Sequence, residues 1–197
     1  MLIFITGGVR SGKSRFAEGL ARSYYDDLHE RCGGARLIYL ATSHISDDEM
    51  RERIERHQLD RHGSGYPWVT WEQPVQMMTL VPALERDDVL LIDCLTTWLS
   101  NELFQPAFSM VGENGELRSV DFLLEQMRLH ILQPLQKMAT QSTCLLVSNE
   151  IAHEPLFLYD PWTQCYIEIL QRLHQEIVAM ADQAYLIEYG LPQRTKW

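Results

Sequence analysis

Four cysteines are all that the chain carries, at positions 32, 94, 144 and 165, and they form neither a Cys-x-x-Cys pair nor a Cys/His cluster. A disulfide framework and a zinc site are therefore not expected. Cys94 and Cys144 lie in apolar runs and read as small core residues. Positive charge is scarce too: 17 Lys+Arg stand against 27 Asp+Glu, a formal net charge of −10. Non-specific nucleic-acid binding needs a basic footprint, so that class drops out. Anionic small ligands stay open, because backbone dipoles bind phosphate even on an acidic protein. No apolar run approaches the ~20 residues of a bilayer span. The opening MLIFITGG has a five-residue apolar stretch and no basic flank, so no signal peptide is expected and the expected location is the cytoplasm. Internal repeats, low-complexity tracts and linkers are also missing, which leaves one domain over residues 1–197.

What the chain does have is a 46% hydrophobic, 22% charged composition, enough to bury a substantial core. Short apolar runs alternate with segments of helical period. The runs Leu2–Thr6, Arg36–Ala41, Val69–Trp71, Val89–Asp93, Cys144–Ser148 and Ala184–Glu188 read as strands. Helices are expected at about Lys13–Tyr25, Asp47–Arg61, Val75–Glu85, Leu95–Phe104, Val120–Thr140 and Thr163–Asp182. Several strands are continuously apolar, as strands covered on both faces are. The fold class is α/β, with a mostly parallel sheet flanked by helices and ligands expected beyond the strands' carboxyl ends. Ser46 before Asp47, Asp48 and Glu49 reads as a helix cap with an acidic first turn. Pro74 is expected near the start of the next helix. Gln105–Arg118 and Ala152–Trp162 read as irregular loops.

Gly7, Gly8, Val9, Arg10, Ser11, Gly12, Lys13 and Ser14 fit the G-x-x-x-x-G-K-[ST] pattern in full, between an apolar strand and a helix. The glycines let successive backbone N–H groups turn inward toward phosphate oxygens. Lys13 neutralises the outer phosphates, and the Ser14 hydroxyl is placed to hold Mg²⁺. A glycine-rich turn with a surface lysine would match by chance at roughly the one-per-cent level in a chain of this length. The partner expected of such a loop is an acid ending another buried strand. Val89-Leu90-Leu91-Ile92-Asp93 supplies it, with Asp93 holding the metal through water. Thr96 and Thr97 stand close behind and are available to cap the following helix. Together these elements imply a P-loop NTPase-type, RecA-like nucleoside-triphosphate site. They do not choose between a kinase, a hydrolase and a switch.

On the helix after the second strand, Met50, Ile54 and His57 share one face. His57 reads either as a histidine at the core edge or as a neutral imidazole facing the nucleotide, a competent nucleophile on phosphorus. His44 and His62 are alternative candidates.

The order and spacing of Gly7–Ser14, Ala41-Thr42-Ser43, Asp48-Glu49-Met50…Arg53-Ile54…His57, Trp68…Thr70…Glu72 and Asp93–Asn101 resemble one family. Ser148-Asn149-Glu150, Ala181-Asp182 and Gly190-Leu191-Pro192 extend the likeness over nearly the whole chain. It is that of the bifunctional adenosylcobinamide kinase/adenosylcobinamide-phosphate guanylyltransferases of cobalamin biosynthesis. The resemblance implies phosphorylation of the aminopropanol hydroxyl of adenosylcobinamide by ATP or GTP, then transfer of GMP from GTP with loss of pyrophosphate. It implies that His57 becomes guanylylated, that Lys13 serves catalysis, and that Ala41, Thr42, Ser43, Gln58, Leu59, Asp60, Arg61 and Glu72 contact nucleotide. Mg²⁺, a corrinoid partner and a homotrimer follow from the same likeness, with Trp162 and Tyr166 fitting either an interface or the core. Between Ile151 and Gln175 the chain departs from the family: both glycines of a Val-Gly-x-Gly stretch are absent, an arginine-rich helix start is replaced, and His174 stands for the asparagine of an Asn-Gln pair. A relative with another acceptor or one activity, and a nucleotide-binding protein without catalysis, are the alternative expectations.

Overall fold

The computed structural model describes residues 1–43, 59, 61, 63–105, 110–112, 116–151 and 155–196. Leu2–Gly7 forms β1, Leu37–Ala41 β2, Trp68–Glu72 β3, Val89–Asp93 β4 and Thr143–Val147 β5. Gln183–Glu188 is β6 and Leu191–Lys196 is β7. They make one sheet in the order β3-β2-β4-β5-β1-β6-β7. β1 to β6 run parallel; β7 pairs antiparallel with β6. The α/β, mostly parallel expectation is met, and all six expected strands are present.

The helices are α1 (Lys13–Cys32), α2 (Leu95–Leu103), α3 (Val120–Met127), α4 (Gln133–Gln141) and α5 (Pro161–Met180). One face of the sheet is covered by α1, whose Ala17, Ala21 and Tyr25 stack at four-residue intervals on Ile3, Ile5, Leu91 and Val147. The two alanines leave room for close helix-on-sheet contact. The opposite face carries Phe4, Leu90, Ile92 and Leu146 under α2 to α5, with Trp98, Met127, Ile131, Leu173 and Ile177 filling the layer. Central strands are therefore sandwiched, which is why they read as unbroken apolar runs. Tyr166 joins this core and donates its hydroxyl to the Thr96 carbonyl, whereas Trp162 is 41% exposed.

Three expectations need correction. The helix expected over Val75–Glu85 is instead a 3₁₀ helix, Met77–Ala83; Pro82 inside it has no N–H to donate and its ring crowds the preceding turn. Pro74 accordingly opens no helix, and its carbonyl accepts from the Asn101 amide. The segment Val120–Thr140 is not one regular helix. It widens to a π-turn at Arg128–Leu132, just where the Pro134 ring meets the carbonyl four residues back. Cys94 packs against the core only half-buried, from the cap position of α2, its thiol 2.9 Å from the Thr96 hydroxyl. Cys144 is fully buried, and burial pushes its thiol up to about 12.

Other boundaries shift. α1 runs past Tyr25 to Cys32, where Gly33 at φ 71° takes the left-handed turn that ends it. β7 is an addition, its Pro192 tolerated because this is an edge strand. Expected positions Ser46, Asp47, His44, His57 and His62 lie outside the described residues.

Candidate active site

The parallel strands end on one edge, and register places their last residues side by side. Glu72 of β3 lies opposite Ala41 of β2, Ala41 opposite Asp93 of β4, and Asp93 opposite Val147 of β5. The glycine-rich loop leaves the same edge from β1, with β5 standing between it and the Asp93 strand. Tight contacts shape this loop. A Cβ on Gly7 would lie 2.5 Å from the Ile187 carbonyl oxygen and 2.7 Å from Ser11 Oγ. Gly12 stands at φ 91° and Arg10 at φ 59°. The Ser11 amide donates to the Gly8 carbonyl, and the Ser11 carbonyl accepts from the Gly190 amide at 2.8 Å. Lys13 opens α1, is 9% exposed and folds back to donate to the Gly8 carbonyl at 3.2 Å. Ser14 follows it, half-buried, while Val9 and Arg10 are exposed.

A cavity of about 580 Å³ opens beside the loop, lined by Gly8 to Ser11, Glu150 and Leu186 to Tyr189. Ser11 Oγ is buried without a hydrogen-bond partner among the described residues. A buried hydroxyl in that condition can donate to an acceptor that a ligand brings.

Asp93 is half-buried and accepts the Tyr39 hydroxyl on Oδ2 at 3.0 Å. Burial, with the Asp93 charge beside it, raises the Tyr39 pKa well above its ordinary value, so this tyrosine remains a donor. The Arg61 guanidinium lies over the same ring, 3.6 Å from its centroid and 3.7 Å from Glu18 Oε1. Arg61 is 4% exposed, and its Nε and Nη1 find no hydrogen-bond acceptor among the described residues. Neither Thr96 nor Thr97 caps α2. Thr96 instead accepts from the Asn149 amide at 2.7 Å. Thr42 is fully buried, its hydroxyl accepting from the Cys94 amide at 2.8 Å and donating to the Cys94 carbonyl at 2.9 Å. Ala41 and Ser43 flank it half-buried, Glu72 is exposed at the end of edge strand β3, and Leu59 is 70% exposed. Gln58, Asp60 and His57 lie outside the described residues.

Tyr39, Glu150 and the β6–β7 turn belong to this edge although sequence reasoning gave them no role there. For Glu150 a signal existed: a polar pair closing a buried apolar strand, as Asp93 closes β4.

Among the described residues no group of three His, Cys, Asp or Glu could hold a metal ion. Ser14 and Asp93 are hard oxygen donors. That suits Mg²⁺, which takes one or two protein ligands and fills its remaining positions with water and phosphate. No described helix is long and apolar enough to cross a membrane.

Residues 3–195 match the family described as cobinamide kinase / cobinamide phosphate guanyltransferase. The bifunctional adenosylcobalamin biosynthesis protein CobU of Salmonella typhimurium is 29% identical over 197 residues, the full length of both chains. Its Escherichia coli counterpart is 28% identical over the same extent. The bifunctional adenosylcobalamin biosynthesis protein CobP of Pseudomonas aeruginosa is 32% identical over 193 residues, 98% of this chain and 95% of that one.

Proposed function

The chain belongs to the cobinamide kinase / cobinamide phosphate guanyltransferase family, and on that premise we propose that it phosphorylates adenosylcobinamide and then transfers GMP from GTP to the product. The observation that carries this reading is the phosphate loop. Its strand–loop–helix geometry, buried Lys13 and adjoining 580 Å³ cavity form a triphosphate cradle in a chain matched almost end to end. In the kinase step, N–H groups of the loop and Lys13 hold the phosphates in line with the acceptor hydroxyl, and positioning supplies most of the rate. Ser14 and, through water, Asp93 would hold Mg²⁺. The metal would spread the charge of the transferring phosphoryl group. Tyr39 fixes the orientation of Asp93. Ala41, Thr42, Ser43, Gln58, Leu59, Asp60, Arg61 and Glu72 make up the proposed remainder of the nucleotide contacts. Arg61 Nε and Nη1 have no hydrogen-bond acceptor among the described residues, which suits an anion or a carbonyl.

In the second step an unprotonated His57 nitrogen attacks the α-phosphorus of GTP. A P–N bond forms, the α–β bridging bond breaks and pyrophosphate leaves. The acceptor phosphate oxygen then attacks the same phosphorus and His57 departs. Splitting the transfer lets one pocket serve two bulky substrates in turn. We further propose a homotrimer in the cytoplasm as the working form.

The test is covalent labelling with α-³²P GTP and Mg²⁺. An acid-labile, base-stable adduct is expected in the native protein and absent from His57→Ala. A protein that binds GTP but takes no label overturns the guanylyltransferase reading.

A further inference from the structure

Of the two carboxylates that line the cavity, Glu150 and Glu188, neither has a role in the mechanism above, and Glu150 is the one bonded to the phosphate loop. Glu150 follows β5, and its backbone amide donates to the carbonyl of Gly7, the first residue of the phosphate loop, at 3.1 Å. Its side chain lines the cavity together with Gly8 to Ser11 and is 43% exposed. A carboxylate beside a triphosphate cradle cannot be a phosphate ligand, since like charges repel. It suits a proton acceptor for something that approaches the phosphates from the side.

The carboxylate is also held. Thr6 Oγ1 donates to Glu150 Oε1 at 2.8 Å, and Thr6 is the residue before the loop. Behind it stands His174, whose Nδ1 is 3.9 Å from the same oxygen and whose Nε2 is 2.7 Å from Ser148 Oγ. Ser148 is fully buried and so is an anchor, not a nucleophile. Burial lowers the His174 pKa, outweighing the opposing influence of Glu150. At 3.9 Å the imidazole makes no hydrogen bond to the carboxylate, so Thr6 is what holds it. Glu150 and Ser11 line the same cavity, and Ser11 Oγ is buried without a hydrogen-bond partner among the described residues.

We propose that Glu150 is the proton acceptor of the kinase step, taking the hydroxyl proton of an alcohol seated in the cavity between the phosphate loop and the β6–β7 turn. This rests on the kinase reading given above. As the alcohol oxygen forms its bond to the γ-phosphorus, its proton passes to the Glu150 carboxylate. The bond between γ-phosphorus and the β-bridging oxygen breaks, and its electron pair leaves with the nucleoside diphosphate. Glu150 then returns the proton to solvent through its exposed side. Thr6 is the positioning residue in this scheme.

Glu150→Gln keeps the shape and removes the base. The assay measures transfer of the γ-phosphoryl group of ATP to adenosylcobinamide, with ATP affinity, thermal midpoint and GTP-dependent labelling followed in parallel. A kcat at least about a hundredfold lower is expected, the usual scale for removing a general base, with KM for ATP, the thermal midpoint and the labelling unchanged. If Glu150→Gln lowers the midpoint, Thr6→Val is read in its place, with an expected loss of about tenfold in kcat at constant KM. An active wild type whose variant stays within threefold overturns the Glu150 assignment alone, as does recovery of the variant by excess Mg²⁺. A wild type that binds ATP but phosphorylates no corrinoid alcohol overturns the kinase reading and this assignment with it.

Discussion

Two neighbouring glycines of the loop meet different surroundings. At Gly7 an added methyl would press on the Ile187 carbonyl, a backbone atom that cannot swing away. Gly8 has nothing within 4 Å of its missing Cβ. Gly7→Ala is therefore expected to lower the thermal midpoint and abolish nucleotide binding together. Gly8→Ala is expected to keep the midpoint and weaken only the binding, because its methyl would fill open space on the side from which the proposed phosphate approaches. Calorimetric titration with ATP beside a melting curve separates the two. The glycines, Lys13 and Asp93 were legible in the sequence because a single local pattern carries each. Tyr39 and the Arg61 stack were not, because each depends on segments far apart in the chain meeting at one edge; for Glu150 the sequence marks a strand end but not the loop it meets.

Among the elements, the last helix starts at Pro161, two residues ahead of the expected Thr163 and inside a stretch read as loop. α5 begins where the Asp160 carboxylate accepts from the amides of Trp162 and Thr163 and from the Thr163 hydroxyl, with Pro161 in the first turn. Those bonds favour the charged form and hold the Asp160 pKa below its ordinary value. The stabilisation is thus complete above about pH 4, the unfolded value, and is lost as pH falls through the lower folded value. Asp160→Ala is expected to melt at a lower temperature than wild type at pH 6, with the gap closing near pH 2. Differential scanning calorimetry at the two pH values checks it. The expected α-helix at Val75–Glu85 failed for the converse reason: its apolar period was right, but Pro82 removes a helical donor. β7 carries no apolar alternation that would announce a strand, since it pairs only with β6 and lies largely exposed.

At the scale of the whole molecule, among the described residues one face rests on α1 and the other on α2 to α5, so the carboxyl edge is where a ligand can reach the strand ends. A nucleotide bound there and not to the unfolded chain stabilises by mass action, by about 2.7 kcal/mol at a hundred times its Kd. For a chain of this size that amounts to a rise of about 5–11 °C in Tm. Saturating GTP with Mg²⁺ is expected to give a shift of that order, and Lys13→Ala to erase most of it. A shift that survives in the variant would place the nucleotide somewhere other than the loop.

The sequence by itself determined the alternation of strands and helices, the phosphate loop and the acid that ends β4. Each of these is written in residues near one another, through apolar period, glycine freedom and a lysine at fixed spacing. The tertiary structure alone decided that Glu150 faces the loop, that Tyr39 holds Asp93 and Arg61 covers Tyr39, and that a β6–β7 turn closes the cavity's far side. Those relations arise from strand order. β5 lies between β4 and β1 in the sheet although it follows both in the chain, and only that crossover brings Glu150 beside Gly7.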